Sequence, residues 1–309
     1  MTAVGIALPG GLALPARSAL DLLDAAADAG AAPLVATEVN GLDAVALLAA
    51  LAVRRPGTDL GAGVLPLGSR SVPGLAMAAA TVAATAGAVF HLGVGVSTPQ
   101  VVGGWHGGEH DATVDGTRDR LRSLRAILRG DRRGSFALAV DPAPGSVQVL
   151  LGAMGPRMVE LGFSEADGVI VNHTPPDALV DPVEGRTLWS YVWLRAAPDA
   201  GRRIRREIVS YACAPPYARH FTSLGFGDDV EAVAKLRAEG RLREAPDALS
   251  DAIVDALYVT PAALASRVAA VRERGALPVV LPVTGDDPAR DIVSTIDALR
   301  GLSEVTAHG

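Results

Sequence analysis

The strongest chemical signal lies near the middle of the chain. Residues 151–158 read LGAMGPRM, an apolar strand end followed by two glycines and a proline suited to the first position of a helix. The free N–H groups and positive dipole end of such a helix start suit a phosphate. An ordinary strand-to-helix turn that uses glycine only for its torsions is the alternative. The stretch predicted to bind phosphate consists of Gly152, Ala153, Met154, Gly155, Pro156 and Arg157.

Two further stretches combine glycines with a strand pattern. Residues 92–99 read LGVGVSTP, so that Ser97 and Thr98 offer hydroxyl groups where the strand ends. Residues 60–67 carry glycines at positions 61 and 63, where missing side chains permit a bulge or the close approach of a ligand. Alternating glycines can also make room for the side-chain layers inside a barrel. A ligand site and simple core packing therefore both stay open as interpretations of these stretches.

The elements around these stretches alternate between short apolar runs and longer helical patterns, which is typical of repeated βα units and a parallel sheet. Residues 174–186 hold three prolines and a glycine, so no full crossover helix is expected there. Eight strands with mostly helical crossovers predict a closed (β/α)8 TIM barrel. The predicted strands are residues 4–9, 33–38, 60–67, 89–97, 147–151, 168–172, 188–194 and 277–283.

An open doubly wound sheet is the alternative architecture. Pro9, Gly10 and Gly11 follow the first strand, but the spacing G-x-G-x-x-G of a dinucleotide-binding turn is missing. We interpret residues 1–309 as a single domain with a helical insertion at approximately 198–260, broken at Pro215 and Pro216.

Composition limits the possible functions. The net charge is −6 and the basic residues are scattered, which argues against nucleic acid as a partner. The single cysteine, Cys213, and the absence of a signal-peptide pattern favour a cytoplasmic protein, and no segment has the strongly apolar run of a membrane span. Residues 106–111 contain two histidines and two acids, but their adjacent glycines disfavour a helical metal site, and no metal is expected. A small-molecule substrate is the expected partner.

In a barrel of this kind, the carboxyl ends of the strands converge on the functional mouth. That rule nominates Glu38, Asn172, His173 and Tyr191 in addition to the stretches above. Trp189, Tyr191 and Trp193 alternate along the seventh strand, and filling the core is the favoured role for at least two of them.

Four stretches taken together resemble the luciferase-like monooxygenase superfamily, specifically its coenzyme F420-dependent branch that includes methylenetetrahydromethanopterin reductase. The resemblance covers most of the chain. The stretches are EVNGLDAVALLAALA at 38–52, LGAGVLPLGSRSVPGLAMAAATVAATAG at 60–87, FHLGVGVSTPQVVGGWHG at 90–107 and VLLGAMGPRMVELGFSEADGVIVNHTPP at 149–176.

The resemblance implies a (β/α)8 barrel, usually a homodimer, that binds a deazaflavin with its phosphate near the fifth-strand loop. It also implies a bulge in the third strand, often with a non-proline cis peptide, which maps onto Gly63 and Val64. Ser97, Thr98 and Asn172 map to positions that line the ring pocket.

Departures from the family pattern bear on the reaction. Ala7 and Thr98 stand where the reductases usually carry acids, so Glu38 is predicted to orient the substrate or to exchange a proton as the hydride moves. Its alternative role is a helix cap or an ion pair with a loop arginine. The favoured function is hydride transfer between coenzyme F420 and a small organic substrate. An FMN-dependent monooxygenase and a non-catalytic accessory barrel are the alternatives.

Overall fold

A computed structural model describes the backbone of residues 4–307 and the side chains of residues 4–302. All nine strands in this part of the chain run parallel to their neighbours. They are Gly5–Leu8 (β1), Leu34–Ala36 (β2), Leu60–Pro66 (β3), Phe90–Gly95 (β4), Val147–Gly152 (β5), Gly168–Val171 (β6), Thr187–Arg195 (β7), Tyr258–Val259 (β8) and Leu277–Val283 (β9).

The sheet closes into a barrel. Strands β1 to β6 pair in sequence order, β6 pairs with β7, and β9 joins β7 to β1. Eight strands therefore form the ring, which confirms the predicted TIM barrel and excludes the open sheet. Strand β8 is an addition that pairs only with Trp193 and Leu194 of β7. Two residues are too short for a periodic signal, so β8 was not predicted.

Helices surround the barrel and also form the insertion. They are Ala16–Asp28 (α1), Ala44–Arg54 (α2), Val72–Ala86 (α3), Val114–Leu128 (α4), Pro156–Glu165 (α5), Gly201–Ala212 (α6), Pro215–Ser223 (α7), Gly227–Ala238 (α8), Ala245–Ala248 (α9), Asp251–Leu257 (α10), Leu264–Glu273 (α11) and Pro288–Ala307 (α12). A π-helical turn, Gln100–Trp105, follows β4. Between β6 and β7 only a short 3-10 turn, Pro176–Ala178, replaces the crossover helix, as the prolines predicted.

Local sequence explains where the outer helices begin and end. The side chains of Asp43, Ser71 and Thr113 accept hydrogen bonds from backbone N–H groups in the first turns of α2, α3 and α4. Gly87 ends α3 with a φ of 61°, a left-handed conformation that glycine adopts without steric cost. These signals set where α2, α3 and α4 begin and where α3 ends.

Side chains fill the barrel interior, and they form one buried cluster with side chains of the helical insertion. Trp189, Tyr191 and Trp193 of β7 are all buried there, which confirms core filling for this row. Glycine makes room for them, because a Cβ at Gly61 would lie 2.8 Å from the Trp189 ring. A Cβ at Gly93 would collide with the Ala62 carbonyl, so glycine also permits the close approach of β3 and β4.

Candidate functional site

The third strand bulges at the mouth of the barrel. Its pairing with β4 shifts register between Ala62 and Leu65, and the peptide bond joining Gly63 to Val64 is cis, as predicted. The buried Tyr191 hydroxyl donates a hydrogen bond of 2.6 Å to the Gly63 carbonyl. Glycine is required at position 63 because a Cβ there would collide with that hydroxyl.

Val64 forms part of a smooth surface at the ends of three adjacent strands. Its side chain is half-buried, and its methyl groups lie against the glycines that end β4 and β5. A Cβ at Gly95 or Gly152 would come within 3.0 or 3.1 Å of those methyl groups. With glycine at both positions, no side chain rises beside Val64, and the surface fits the face of a planar ring such as a flavin or deazaflavin.

The start of α5 is open in front of this surface. Gly155 occupies the cap position with extended torsions, no side chain caps the helix, and Pro156 stands in its first turn. A Cβ at Gly155 would meet no atom within 4 Å, and Arg157 is exposed. This arrangement fits a phosphate group, because backbone donors and the dipole of the helix face open space.

Not every residue of the predicted phosphate stretch is free to contact a ligand. The Ala153 N–H donates to the Ile170 carbonyl at 3.0 Å, and its side chain is buried. Ala153 therefore anchors the end of β5 to β6. Gly152 and Met154 are partly exposed at the same strand end.

The structure separates the two hydroxyl residues that follow β4. The Thr98 hydroxyl accepts from the Val101 N–H at 3.3 Å and so caps the π-helical turn. Ser97 has a φ of 58°, and its carbonyl oxygen lies 3.3 Å from Nε2 of His110. The Thr98 hydroxyl is thus used by the turn that follows it, whereas Ser97 stays partly exposed at the mouth.

Asn172 connects the barrel to the insertion. Its Oδ1 accepts hydrogen bonds from Trp193 Nε1 at 2.7 Å and from the His173 N–H at 2.9 Å. Its Nδ2 donates to the Tyr217 hydroxyl at 3.3 Å. These bonds fix the side chain between β6, β7 and α7, and contact with a cofactor ring stays a prediction for this residue.

Glu38 occupies the alternative role considered for it. Its carboxylate forms a two-pronged ion pair with the Arg70 guanidinium, and Oε2 also accepts from the Ala44 N–H at 3.3 Å. The Glu38 side chain is only 8% exposed. Both oxygens therefore hold the loop before α3 against the start of α2. The predicted catalytic role of Glu38 gains no support from these contacts.

An aromatic cluster at the top of the barrel was not predicted. His173 is buried at a φ of 48°, and its ring stacks on Trp193 with centroids 4.7 Å apart. Tyr211 meets the same ring edge-on at 4.5 Å. Neither ring nitrogen of His173 has a hydrogen-bond partner among the described residues, and burial lowers its pKa to about 3. His173 is therefore neutral at physiological pH.

Glu207 is the acidic residue that the sequence analysis missed. It lies on α6 of the insertion, and burial raises its pKa to about 7. Arg203, one turn earlier, favours the charged form but does not offset that burial. The signal available in the sequence was the spacing of Arg203, Glu207 and Tyr211, four residues apart on one helical face. Only the docking of α6 shows which way that face points.

Two negative findings concern the described residues. No group of three or more His, Cys, Asp and Glu side chains that could hold a metal ion occurs among them. Within that same part of the chain, no helix is long and apolar enough to cross a membrane.

Comparison with known proteins agrees with the barrel fold. The profile of the luciferase-like monooxygenase family matches residues 2–184, and the chain belongs to that family. A putative coenzyme F420-dependent oxidoreductase of Mycobacterium tuberculosis is 30% identical over 177 residues, which are 50% of this chain and 51% of that protein. The chain thus matches about half the length of this curated relative.

Solved structures extend the similarity over the whole barrel. The coenzyme F420-dependent tetrahydromethanopterin reductase from Methanopyrus kandleri aligns with a TM-score of 0.71 at 17% identity, covering 96% of this chain and 98% of that one. An FMN complex of the oxygenating constituent of 3,6-diketocamphane monooxygenase from Pseudomonas putida aligns with a TM-score of 0.61 at 15% identity, covering 98% and 97%. At these identities the likeness establishes the fold.

Proposed function

We propose that this protein is an oxidoreductase that binds coenzyme F420 at the barrel mouth and transfers a hydride between the cofactor and a small organic substrate. The observation that carries the proposal is the juxtaposition of two features at neighbouring strand ends. The smooth surface of Val64 with Gly95 and Gly152 lies beside the uncapped start of α5. A cofactor with a flat ring and a phosphate matches both.

Different residues of the mouth are proposed to contact the ring and the phosphate. Val64 would support one face of the ring, and Ser97 and Asn172 would line its edges. Gly152, Met154, Gly155, Pro156 and Arg157 surround the phosphate, while Ala153 and Thr98 maintain the backbone beneath. When bound, the deazaflavin supplies the hydride chemistry, and the protein supplies position and electrostatics.

FMN is the second candidate cofactor, because it has the same flat ring and phosphate and because a structural neighbour was solved in complex with it. An FMN-dependent monooxygenase is accordingly the second candidate function. A barrel that binds neither cofactor would be an accessory protein.

The test is a titration of the purified chain with F420 and with FMN, followed by cofactor fluorescence. We expect tighter binding of F420. Gly155→Val should weaken that binding about tenfold or more, which corresponds to ~1.4 kcal/mol or more. It should leave the melting temperature unchanged, because the space above Gly155 is open.

Gly301→Val is the matched control, since a Cβ at Gly301 on α12 also meets nothing within 4 Å. This control should keep full affinity. Tighter binding of FMN would make FMN the proposed cofactor. If neither F420 nor FMN bound, the proposed function would be overturned. Unchanged F420 affinity in Gly155→Val would remove the phosphate assignment alone.

A further inference from the structure

Helix α6 lies along the barrel rim, from the residues that follow β9 to the residue that follows β6. At its start, Arg203 Nη1 donates to the carbonyl oxygens of Thr284 and Gly285 at 2.6 and 3.0 Å. These two residues directly follow β9. The start of α6 is therefore attached to one side of the barrel rim.

The other end of the same helical face lies against β6. The Tyr211 ring contacts His173, and its hydroxyl interacts with the side chain of Asn172. Burial raises the pKa of the Tyr211 hydroxyl, and the nearby hydroxyl of Tyr191, which lies inside the barrel, raises it further. Because Arg203 and Tyr211 contact residues on either side of β7, the residue midway between them on that face, Glu207, lies at the rim of the mouth beside the end of β7.

The carboxyl group of Glu207 is not used by the fold. Its side chain is partly accessible, and it forms no hydrogen bond or ion pair with any described residue. The charged and titratable groups around it are Arg203 and Tyr211 on α6, Tyr217 on α7 and Tyr258 on β8. Burial holds these three phenols neutral, and the Arg203 guanidinium is held by carbonyl oxygens.

The strand-end acid that the sequence nominates is not free to act in place of Glu207. Glu38, which follows β2, has both carboxylate oxygens bound by Arg70. A carboxyl group that is about half protonated near neutral pH is suited to give and take a proton. Glu207 is such a group, and it is contributed by the insertion.

We propose that Glu207 exchanges the proton with the oxygen of a small carbonyl or alcohol substrate bound between α6 and the cofactor, an inference that rests on the proposed function. In the reducing direction, the carbonyl carbon accepts a hydride from the reduced deazaflavin. The π electron pair of the carbonyl forms a new O–H bond with the proton of the Glu207 carboxyl group. The products are the alcohol, the oxidised deazaflavin and the Glu207 carboxylate. The ring N–H proton that the deazaflavin loses on oxidation goes to solvent, and the carboxylate takes one proton back from solvent.

Tyr211 and Tyr217 define the substrate class further. Their rings lie 4.4 Å apart beside Glu207 and, with Val64, give the mouth apolar walls. A ketone or aldehyde with a compact hydrocarbon body fits such walls, since its single oxygen can meet the carboxyl group. The reverse reaction oxidises the corresponding alcohol.

A test that needs no turnover follows the Glu207 carboxyl carbon by 13C NMR. In the free protein, we expect a titration near pH 7 that disappears in Glu207→Gln. Binding of F420 should move that midpoint upward, because the ring excludes water from the carboxyl group. Glu231→Gln, at an exposed position on α8, is the matched control and should leave the titration unchanged. A midpoint that does not move when F420 binds overturns the proposal.

The kinetic test uses reduced F420 with acetone, butanone and cyclohexanone as probes. Glu207→Gln should lower kcat about 100-fold or more and remove the limb of the pH profile near 7. KM and F420 affinity should stay within about twofold, since the amide keeps the size of the acid. Full kcat in Glu207→Gln, with normal F420 binding, overturns the role of Glu207 while the proposed function stands. Failure of the wild-type protein to bind F420 overturns both.

Discussion

The two glutamates near the mouth illustrate how surroundings decide what a carboxylate does. Glu38 was singled out because it ends a strand, yet its charge is neutralised by Arg70 and its oxygens hold two elements together. Glu207 was overlooked because it lies in the middle of a helix, yet its carboxyl group has no such partners among the described residues. The position of Glu38 at a strand end thus pointed to an acid that stabilises the structure. The burial of Glu207 without partners points to the acid that is available for chemistry.

Glu38→Gln is therefore expected to affect stability. Removing the charge leaves the partly buried Arg70 without its main partner, and we expect a loss of about 2 kcal/mol in the free energy of unfolding, measured with urea. Turnover should change less than about threefold once the variant is folded. In a double-mutant cycle with Arg70→Gln, the two losses should be less than additive. A variant of normal stability with kcat reduced by orders of magnitude would restore the catalytic role.

At the scale of elements, the insertion is attached to the barrel through a few buried polar residues. His173 lies between β6, β7 and α6, and its ring is enclosed by Trp193, Tyr211 and Tyr258. His220 on α7 adds a second contact, because its Nε2 lies 3.0 Å from the His173 carbonyl oxygen. The docking of α6 and α7, and with it the placement of Glu207, depends on a neutral His173.

This dependence predicts loss of stability in acid. Burial lowers the pKa of His173 from 6.5 to about 3, so below pH 6.5 the unfolded chain binds a proton that the folded chain does not. The contribution of neutral His173 to the free energy of unfolding is complete above pH 6.5. It falls by up to about 1.4 kcal/mol per pH unit as the pH decreases toward 3.

Urea unfolding measured at several pH values between 7 and 4 tests this dependence. His173→Asn should show a shallower decline with falling pH, and asparagine tolerates the left-handed backbone at this position. His106→Asn, at an exposed loop position, is the control and should keep the wild-type decline. An identical pH dependence in His173→Asn and the wild type would contradict the assignment.

At the scale of the molecule, the outer surface suggests self-association. Helices α2 and α3 pack side by side and are rich in alanine, which leaves a face of small side chains. Val53 is 72% exposed on α2 and Met77 is 53% exposed on α3. We propose that this face pairs with a second copy of the chain across a twofold axis, because isologous contacts are the commonest in soluble oligomers.

Light scattering should accordingly give about twice the 31.5 kDa mass of one chain. Met77→Glu places a charge in the proposed interface and should shift the protein toward the monomer. Val293→Glu, on the exposed side of α12, adds the same charge elsewhere and should leave the mass unchanged. A monomer at working concentration in the wild-type protein would contradict the proposal.

Sequence patterns alone were enough to predict the alternation of strands and helices, the missing crossover helix before β7 and the glycine-proline start of α5. Each of these depends on neighbouring residues, whose periodicity, caps and torsions are local properties. The glycines at 61 and 63 only permit a bulge, and the resemblance to a family added the cis peptide between Gly63 and Val64. The packing of distant elements brings Arg70 against Glu38 and, through the contact of Arg203 with Thr284, brings Glu207 to the rim of the mouth. These contacts join residues 32 and 81 positions apart, and their burial and charge depend on how the elements pack in space.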